Sequence, residues 1–273
     1  MSLPDPATTD DVWTRLRADA VRMAASEPIL ASFVQATVLG HSRLEGALTY
    51  HLAQKLGNDD VSPLQVHQVF DEAFAADPEL GRAVRADLHA IFTRDPAVRT
   101  LVEPFLFFKG FHSVQGYRVT HWLWRAGRTA LAFHFQSRIS EVFGVDIHPA
   151  ALIGQGVMID HATGVVIGET AVIEDDVSLL QGVTLGGTGK QQGDRHPKVR
   201  RGAMIGAGAK VLGNTEIGAD SLVGAGSVVL RPVPPSSTVV GVPARVVGRS
   251  TGHHPAEEMN QLIDDLPEDF YQI

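Results

Sequence analysis

The sequence contains no cysteine. A disulfide framework, a cysteine-ligated zinc site and a cysteine nucleophile are therefore excluded. No apolar run approaches the roughly 20 residues that a membrane-spanning helix needs. The N-terminus, Met1-Ser2-Leu3-Pro4, has neither the basic nor the apolar stretch of a signal peptide. We therefore expect a cytoplasmic protein with no membrane partner.

Lysine and arginine are absent after Arg249. The net charge is −8, and it would be −2 without the six acidic residues from Glu257 onward. The acidity is thus concentrated in a C-terminal tail, and the rest of the chain is nearly neutral. This balance argues against a nucleic-acid partner that is held by bulk electrostatics.

Aromatic residues are absent from Gly144 to Asp269, and 19 of the 27 glycines lie between Gly144 and Gly248. The first 143 residues hold 7 glycines and all but two of the aromatic residues. Regions so different in composition must build their cores differently. The sequence therefore predicts two domains, 1–143 and 144–248, followed by an acidic, flexible tail at 249–273.

The first domain has the sequence signals of helices. Ser42 and Glu45 have the spacing of a capping box, which predicts a helix that ends at Gly57. Ser62-Pro63 and Asp77-Pro78 combine an N-cap residue with proline at the first helical position. Apolar residues at helical spacing predict further helices near 10–24, 27–39, 96–103, 112–126 and 128–142. An all-α domain of roughly six to eight helices is expected.

The second domain repeats with a period of six residues. The aliphatic anchors of this repeat form three series: Ile147, Ile153, Ile159, Val165; Ile167, Ile173, Leu179, Leu185; and Ile205, Val211, Ile217, Val223, Val229. Such a period is typical of a β-solenoid, in which each hexad forms one short strand and one corner. Three hexads make a triangular coil, and stacked coils pair their backbones at about 4.8 Å. The narrow interior excludes aromatic rings, which accounts for their absence.

The repeat is interrupted between Leu185 and Ile205 by a segment at 186–198 that contains four glycines, an arginine, a histidine and two lysines. A regular solenoid does not need this excursion. Because long loops on rigid scaffolds often carry function, we expect binding residues here.

The hexads resemble those of the left-handed β-helix acyltransferases. Five segments narrow the resemblance to the bacterial serine O-acetyltransferases: DIHPAA at 146–151, DHATG at 160–164, TLGGTGK at 184–190, GDRHPK at 193–198 and GVPAR at 241–245. The helical domain agrees at 27–33, 94–98 and 109–112, so the resemblance spans about residues 10 to 248. It implies an α+β fold, in which an all-α N-terminal domain precedes a left-handed parallel β-helix.

The resemblance implies transfer of the acetyl group of acetyl-CoA, a cosubstrate, to the hydroxyl of L-serine. The products are O-acetyl-L-serine and CoA, in the first committed step of cysteine biosynthesis, and no metal is involved. His161 matches the general base of the family, and Asp146 matches the carboxylate that orients this base. The resemblance also implies feedback inhibition by L-cysteine, which shares the ammonium and carboxylate groups of serine.

Serine needs binding groups of both signs. Asp95 and Asp160 match the family's ammonium-binding acids, and Arg195 and His196 match its carboxylate-binding pair. Asp95-Pro96 also has the pattern of a helix start, and one side chain could serve both purposes.

The CoA site implied by the family is a groove between neighbouring β-helices. The backbone at Gly187, Ala207 and Ala225 and the side chain of Lys210 are the candidates for binding it. Because one β-helix offers only half of such a groove, we expect a homotrimer, and the resemblance implies a dimer of trimers.

The tail ends in Asp269-Phe270-Tyr271-Gln272-Ile273. In the family, a C-terminal isoleucine enters the active site of O-acetylserine sulfhydrylase. The resemblance therefore implies that Ile273 anchors this protein to that enzyme. Calorimetry of the sulfhydrylase with a chain that lacks Ile273 tests this expectation. An undiminished affinity of that chain for the sulfhydrylase would reject it.

Three other functions stay open at the level of sequence. A β-helix O-acyltransferase could act on homoserine or on another hydroxyl acceptor. A γ-type carbonic anhydrase would hold zinc through three histidines across a trimer interface, for which His148, His161 and His196 are available. A non-catalytic scaffold would bind a partner through its tail, although the pairing of Asp146 with His161 favours an enzyme.

Overall fold

The chain, seen in a computed structural model, is described at residues 10–189, 192–250 and 254–261. Most helices precede residue 144, and all strands follow it. The α-helices of the described residues are α1 (Asp11–Ser26), α2 (Ala31–Val34), α3 (Leu44–Leu56), α4 (Pro63–Ala76), α5 (Pro78–Arg94), α6 (Val102–Phe107), α7 (Lys109–Arg125), α8 (Thr129–Phe143) and α9 (Pro255–Glu258). A 3-10 turn at Pro28–Leu30 and a π-helical stretch at Gln35–Leu39 flank α2.

The two proline-led helix starts are confirmed. Ser62 caps α4 in a full capping box, since its hydroxyl accepts the Gln65 N–H and the Gln65 side chain accepts the Ser62 N–H at 2.9 Å. The carboxylate of Asp77 accepts the N–H of Glu79 at 3.0 Å at the start of α5. Local sequence therefore determines these two starts.

Two local predictions are wrong. Ser42 makes no capping box, because α3 begins after Arg43 and the Glu45 carboxylate pairs instead with Arg85 at 2.5 Å. No helix starts at Pro96: Asp95 is the C-cap of α5, and its carboxylate accepts the N–H of Ala97 at 2.8 Å within a turn.

The helical part is joined to the β-helix by a buried ion pair. Arg118 on α7 donates to the carboxylate of Asp87 on α5 at 2.7 Å and to the carbonyl of Gly154 at 2.7 Å. The second oxygen of Asp87 accepts the N–H of Val157 at 2.9 Å. Since both charged groups are buried, the loss of either one would leave the other unpaired at a large cost in stability.

The β-helix follows directly, since α8 ends at Phe143 and the first strand begins at Val145. The strands are β1 (Val145–Ile147), β2 (Leu152–Ile153), β3 (Met158–Ile159), β4 (Val165–Ile167), β5 (Val172–Ile173), β6 (Ser178–Leu179), β7 (Thr184–Gly186), β8 (Lys198–Val199), β9 (Met204–Ile205), β10 (Lys210–Leu212), β11 (Glu216–Ile217), β12 (Leu222–Val223), β13 (Val228–Val229), β14 (Ser237–Gly241) and β15 (Ala244–Arg249).

Three parallel sheets form the three sides of the prism. The first sheet is β1-β4-β7-β10-β13, the second is β2-β5-β8-β11, and the third is β3-β6-β9-β12-β14. At the far end β15 turns back antiparallel to β14. The predicted parallel β-helix is confirmed, and its first sheet is the side that organises the candidate site.

All thirteen predicted anchors lie on the strands, and all but one are buried. Ile153 is only partly buried, because it lies in the first coil at the end of the stack. Coil length varies at two places: Ile167 pairs with Leu185 after 18 residues, whereas Ile147 pairs with Ile167 after 20 and Leu185 with Val211 after 26. The first and third coils thus carry extra residues, and both excursions contain candidate site residues.

Residues 254–261 return to the body of the protein. Ala256 is buried, its N–H donates to the carbonyl of Gly202 at 3.2 Å, and its carbonyl accepts the hydroxyl of Ser178 at 2.8 Å. Ile273 lies outside the described residues, so the predicted anchor to a sulfhydrylase stays a prediction. Among the described residues, no helix has the length and apolar character to cross a membrane.

Candidate active site

The corner between β3 and β4 carries the two extra residues of the first coil, and it places His161 at the surface. The His161 side chain is 73% exposed. His161 and Ala162 both have positive φ, 54° and 62°, a conformation that side chains with a Cβ rarely adopt. Such strain is typical of functional sites, where the surrounding structure holds the backbone in place.

The N-terminus of α7 holds this corner. The ammonium of Lys109 donates to the hydroxyl of Thr163. A Cβ added to Gly110 would lie 1.9 Å from the carbonyl oxygen of Ile159, so only glycine allows this contact between helix and corner. The helical domain therefore supports the candidate base directly.

Two carboxylates accompany His161. The Asp160 carboxylate lies 3.5 Å from the ring Nε2 of His161. Burial raises the pKa of Asp160; the charge of His161 opposes this shift and the charge of Asp95 adds to it. The structure thus brings three predicted site residues, Asp95, Asp160 and His161, to one corner.

Asp146 occupies the middle of β1, the strand beside β4. Its carboxylate accepts a hydrogen bond from the side chain of Gln136 on α8 at 2.7 Å. Asp146 and His161, both within the described ranges, form no hydrogen bond or ion pair with each other. The orienting role of Asp146 stays a prediction.

Arg195 and His196 lie at the opposite edge of the first sheet, by which we mean the prism edge at the carboxyl ends of its strands. The 186–198 segment returns there to the corner after β4. The Arg195 guanidinium donates to the carboxylate of Glu169 at 2.6 Å, and the backbone N–H groups of both loop residues donate to the Thr170 hydroxyl at 3.0 and 3.1 Å. Burial, together with the charge of Arg195, lowers the pKa of His196, so its ring is neutral near pH 7.

Sequence reasoning missed Glu169 and Thr170. Both follow the anchor Ile167 at a predicted corner, so their outward position could be read from the period. Their contact with the loop could not, because 25 or 26 residues separate them from Arg195 and His196.

The CoA-binding candidates divide between the two edges. Ala207 and Ala225 lie in corners on the His161 edge, and Lys210 on β10 donates to the carbonyl of Gly182 at the same edge. Gly187 lies at the other edge, where a Cβ would approach Arg195 and His196 at 3.5 Å.

The glycines of the His161 edge form a ladder along the axis of the β-helix. Gly164, Gly182, Gly208 and Gly226 have φ values of 77°, 70°, 69° and 69°. An added Cβ at Gly164 would lie 3.7 Å from the Cα of Gly182, and one at Gly182 would lie 3.4 Å from the Cα of Gly208. This edge therefore has a track of exposed and partly exposed backbone, free of side chains at these positions, that begins at the His161 corner.

The histidines of the carbonic anhydrase hypothesis do not share one place within the chain. His161 is at one edge of the first sheet, and His148 and His196 are at the other. Across the described ranges, no group of three or more histidine, aspartate or glutamate side chains is arranged to hold a metal ion.

Comparison with known proteins covers both parts of the chain. Residues 12–116 match the family described as serine acetyltransferase, N-terminal, and residues 196–231 match the bacterial transferase hexapeptide family. The curated serine acetyltransferase of Salmonella typhimurium is 54% identical over 259 residues, which are 95% of this chain and 95% of that protein.

Two similar solved structures contain ligands. A serine acetyltransferase in complex with cysteine is 53% identical, with a TM-score of 0.91 and coverage of 93% of this chain and 98% of that one. A serine acetyltransferase from Brucella abortus strain S19, in complex with coenzyme A, is 50% identical, with a TM-score of 0.88 and coverage of 89% and 97%.

Proposed function

This chain belongs to the serine acetyltransferase family, and on that basis we propose how its residues transfer an acetyl group from acetyl-CoA to the hydroxyl of L-serine. The observation that carries the proposal is the His161 corner, where an exposed histidine on a strained turn stands beside two carboxylates. Family membership replaces the carbonic anhydrase and scaffold hypotheses.

His161 is the general base. An alcohol is a weak nucleophile at neutral pH, so the serine hydroxyl gives its proton to the imidazole as its oxygen attacks the thioester carbonyl. The C–S bond then breaks, and the imidazolium returns the proton to the CoA sulfur. Asp160, 3.5 Å from the ring, favours the imidazolium electrostatically. Asp146 orients the ring from the neighbouring strand.

Asp95 and Asp160 bind the serine ammonium, and Arg195 and His196 bind its carboxylate. The first pair lies at the His161 corner, and the second lies across the first sheet beyond β4 (Val165–Ile167). At about 3.3 Å per residue, this strand and its flanking residues separate the two pairs by roughly 10 Å or more. One serine molecule, with only two bonds between its ammonium nitrogen and its carboxyl carbon, cannot reach both pairs of a single chain.

The site is therefore shared between subunits of a homotrimer. In a ring of three β-helices, the His161 edge of one subunit faces the Arg195 edge of the next. The two halves of the serine site then meet at each boundary. The glycine ladder, with Lys210 beside it, lines one wall of the groove for CoA, and Gly187 of the neighbouring subunit lines the other.

L-cysteine inhibits by occupying the serine site. Its ammonium and carboxylate match those of serine, and a related serine acetyltransferase has been solved in complex with cysteine. This account requires inhibition to be competitive with serine. A noncompetitive pattern against serine would reject it.

The activity is tested by acetyl-CoA turnover, followed as release of the CoA thiol, with a panel of acceptors. L-serine should turn over with a higher kcat/KM than L-homoserine, L-threonine or a sugar. Homoserine places its hydroxyl one methylene further from the ammonium, threonine adds a methyl group at the carbon that bears the hydroxyl, and a sugar lacks the amino-acid ammonium and carboxylate. A faster reaction with homoserine would instead indicate the alternative function, a β-helix O-acyltransferase that acts on homoserine.

A further inference from the structure

All three residues of the corner after β4, Gly168-Glu169-Thr170, contact the loop that returns at Arg195 and His196. A Cβ on Gly168 would lie 2.0 Å from the His196 ring, so the ring packs directly against the backbone. Glu169 pairs with the Arg195 guanidinium at 2.6 Å. The carbonyl of Thr170 accepts the ammonium of Lys198 at 2.8 Å. These contacts describe a cradle for the loop, which we call the 168–170 cradle.

Thr170 makes the greatest number of these contacts. Its hydroxyl oxygen accepts the N–H of Arg195 and of His196, which uses both lone pairs, and its single proton has two acceptors within reach, the Nδ1 of His196 and the carboxylate of Asp194. That hydroxyl lies 2.9 Å from the Nδ1 of His196, and the Thr170 N–H donates to the same nitrogen at 3.2 Å. The backbone N–H can only donate, so Nδ1 carries no proton, and the single proton of the neutral ring is on Nε2.

The corner does not need a hydroxyl for its own folding. Ile147 and Ile167 are register partners, so Ala150 occupies in the first coil the position that Thr170 occupies in the second. Both corners close with the same backbone hydrogen bond. The Ala151 N–H donates to the carbonyl of His148 at 3.0 Å, and the Ala171 N–H donates to the carbonyl of Gly168 at 3.1 Å. The side chain of Thr170 is therefore available to act on the loop.

We propose that Thr170 is a positioning residue. It fixes His196 as the Nε2–H tautomer and holds the His196 ring beside Arg195, so that both side chains can bind the substrate carboxylate. This inference rests on the proposed role of Arg195 and His196 in serine binding. The neutral Nε2–H and the guanidinium then form two donors that face one carboxylate. Nε2 has no hydrogen-bond partner among the described residues, which leaves it available for the substrate.

The test compares Thr170→Val, which keeps the shape and removes the hydroxyl, with Thr170→Ser, which keeps the hydroxyl. The valine variant should raise the KM for serine by roughly ten- to a hundredfold, the usual effect of losing hydrogen bonds that orient a charged-ligand site. The KM for acetyl-CoA should stay within about threefold of wild type. Thr170→Ser should stay close to wild type in both KM values.

Nitrogen-15 NMR of histidine-labelled protein supplies a second readout, with the His196 signals assigned by their loss in His196→Gln. Nδ1 of His196 should be the unprotonated nitrogen in wild type and in Thr170→Ser. In Thr170→Val the hydroxyl no longer holds the N–H groups of Arg195 and His196, so the remaining 3.2 Å bond from the backbone N–H of residue 170 should weaken and the tautomers should mix. Thr170→Ala repeats the comparison if the valine variant fails to fold, since Ala150 shows that alanine closes the corner.

An unchanged tautomer and an unchanged KM for serine in both hydroxyl-free variants would overturn the proposal. So would a Thr170→Ser variant as weak as Thr170→Val, because packing and not hydrogen bonding would then be responsible. Tautomer mixing without any change in the KM for serine would instead refute the binding role of His196. Acetyl transfer to serine by the wild-type protein remains a separate observation in each case.

Discussion

At the scale of the residue, the most unusual position is the His161 turn. Two successive residues with a Cβ hold positive φ, which costs on the order of 1 kcal/mol or more for each of them. The buried Ala162 and the contacts of Lys109 and Gly110 hold the turn in this conformation. The turn presents the His161 side chain at the surface, as its proposed role as a base requires.

Replacing His161 by alanine should lower kcat by roughly 10²–10⁴, the usual contribution of a positioned general base. The KM values for serine and acetyl-CoA should change little, because the residues that bind them remain. His89→Ala, an exposed histidine on α5, is the matched control and should keep wild-type kcat. Near-normal turnover in a folded His161→Ala protein would remove this residue from the mechanism.

At the scale of the element, α3 and α7 pack two buried histidines against each other, with ring centroids 4.9 Å apart. The Nε2 of His51 donates to the carbonyl of Leu106 at 3.1 Å, and that of His112 to the carbonyl of Phe105 at 2.8 Å. Burial lowers the pKa of His51 to about 4 and places that of His112 well below its usual range. Both rings are neutral in the folded protein.

Acid should therefore destabilise the helical domain. An unfolded His51 titrates near 6.5 and the folded one near 4, so the unfolded state binds more protons between these values. Stability is full above pH 6.5 and falls as the pH drops toward 4, by about 3 kcal/mol for this residue alone.

His51→Gln keeps a donor for the Leu106 carbonyl and removes the titrating ring. Its urea midpoint should fall less than that of the wild type between pH 7 and pH 4.5, whereas His89→Gln should follow the wild type. Identical pH dependence in the wild type and His51→Gln would contradict the role of His51.

At the scale of the whole molecule, the positions of the predicted site residues on two edges of the first sheet bear on the proposed trimer. His161 and the glycine ladder lie on one edge, and Arg195, His196 and the 168–170 cradle lie on the other. In the proposed mechanism a complete site requires both edges, and one prism cannot fold its own edges together. A ring of subunits solves this problem without any movement of the rigid β-helix.

Mixed trimers test the shared site. His161→Ala and Arg195→Ala proteins should each have low activity alone, and co-expression should restore activity at boundaries where each supplies its intact half. With random mixing of equal amounts, about a quarter of the sites are complete in a closed ring with head-to-tail contacts. Co-expressed His161→Ala and Asp160→Ala proteins, whose changes lie on the same edge, are the control and should gain nothing. If the first mixture gained nothing either, the shared site would be rejected.

The sequence by itself determined the elements whose signals are local or periodic. The six-residue period of anchors such as Ile167 and Leu185 specifies the β-helix, since each position meets the same environment once per strand. Ser62 and Asp77 specify helix starts, because their hydrogen bonds span only two or three residues. Residue-by-residue resemblance supplied the family activity and the roles proposed for His161 and Arg195.

Only the tertiary structure decided what depends on distant residues. Arg85 draws Glu45 away from the capping box with Ser42, although 40 residues separate the two charged groups. Thr170 meets His196 across 26 residues, which include three strands and then a loop whose length carries no information about where it returns. The separation of the two site edges is likewise a property of the triangular coil. Local hydrogen bonds and periodic burial depend on residues that are close in sequence or regularly spaced. The contacts made by an insertion depend on the scaffold against which it packs.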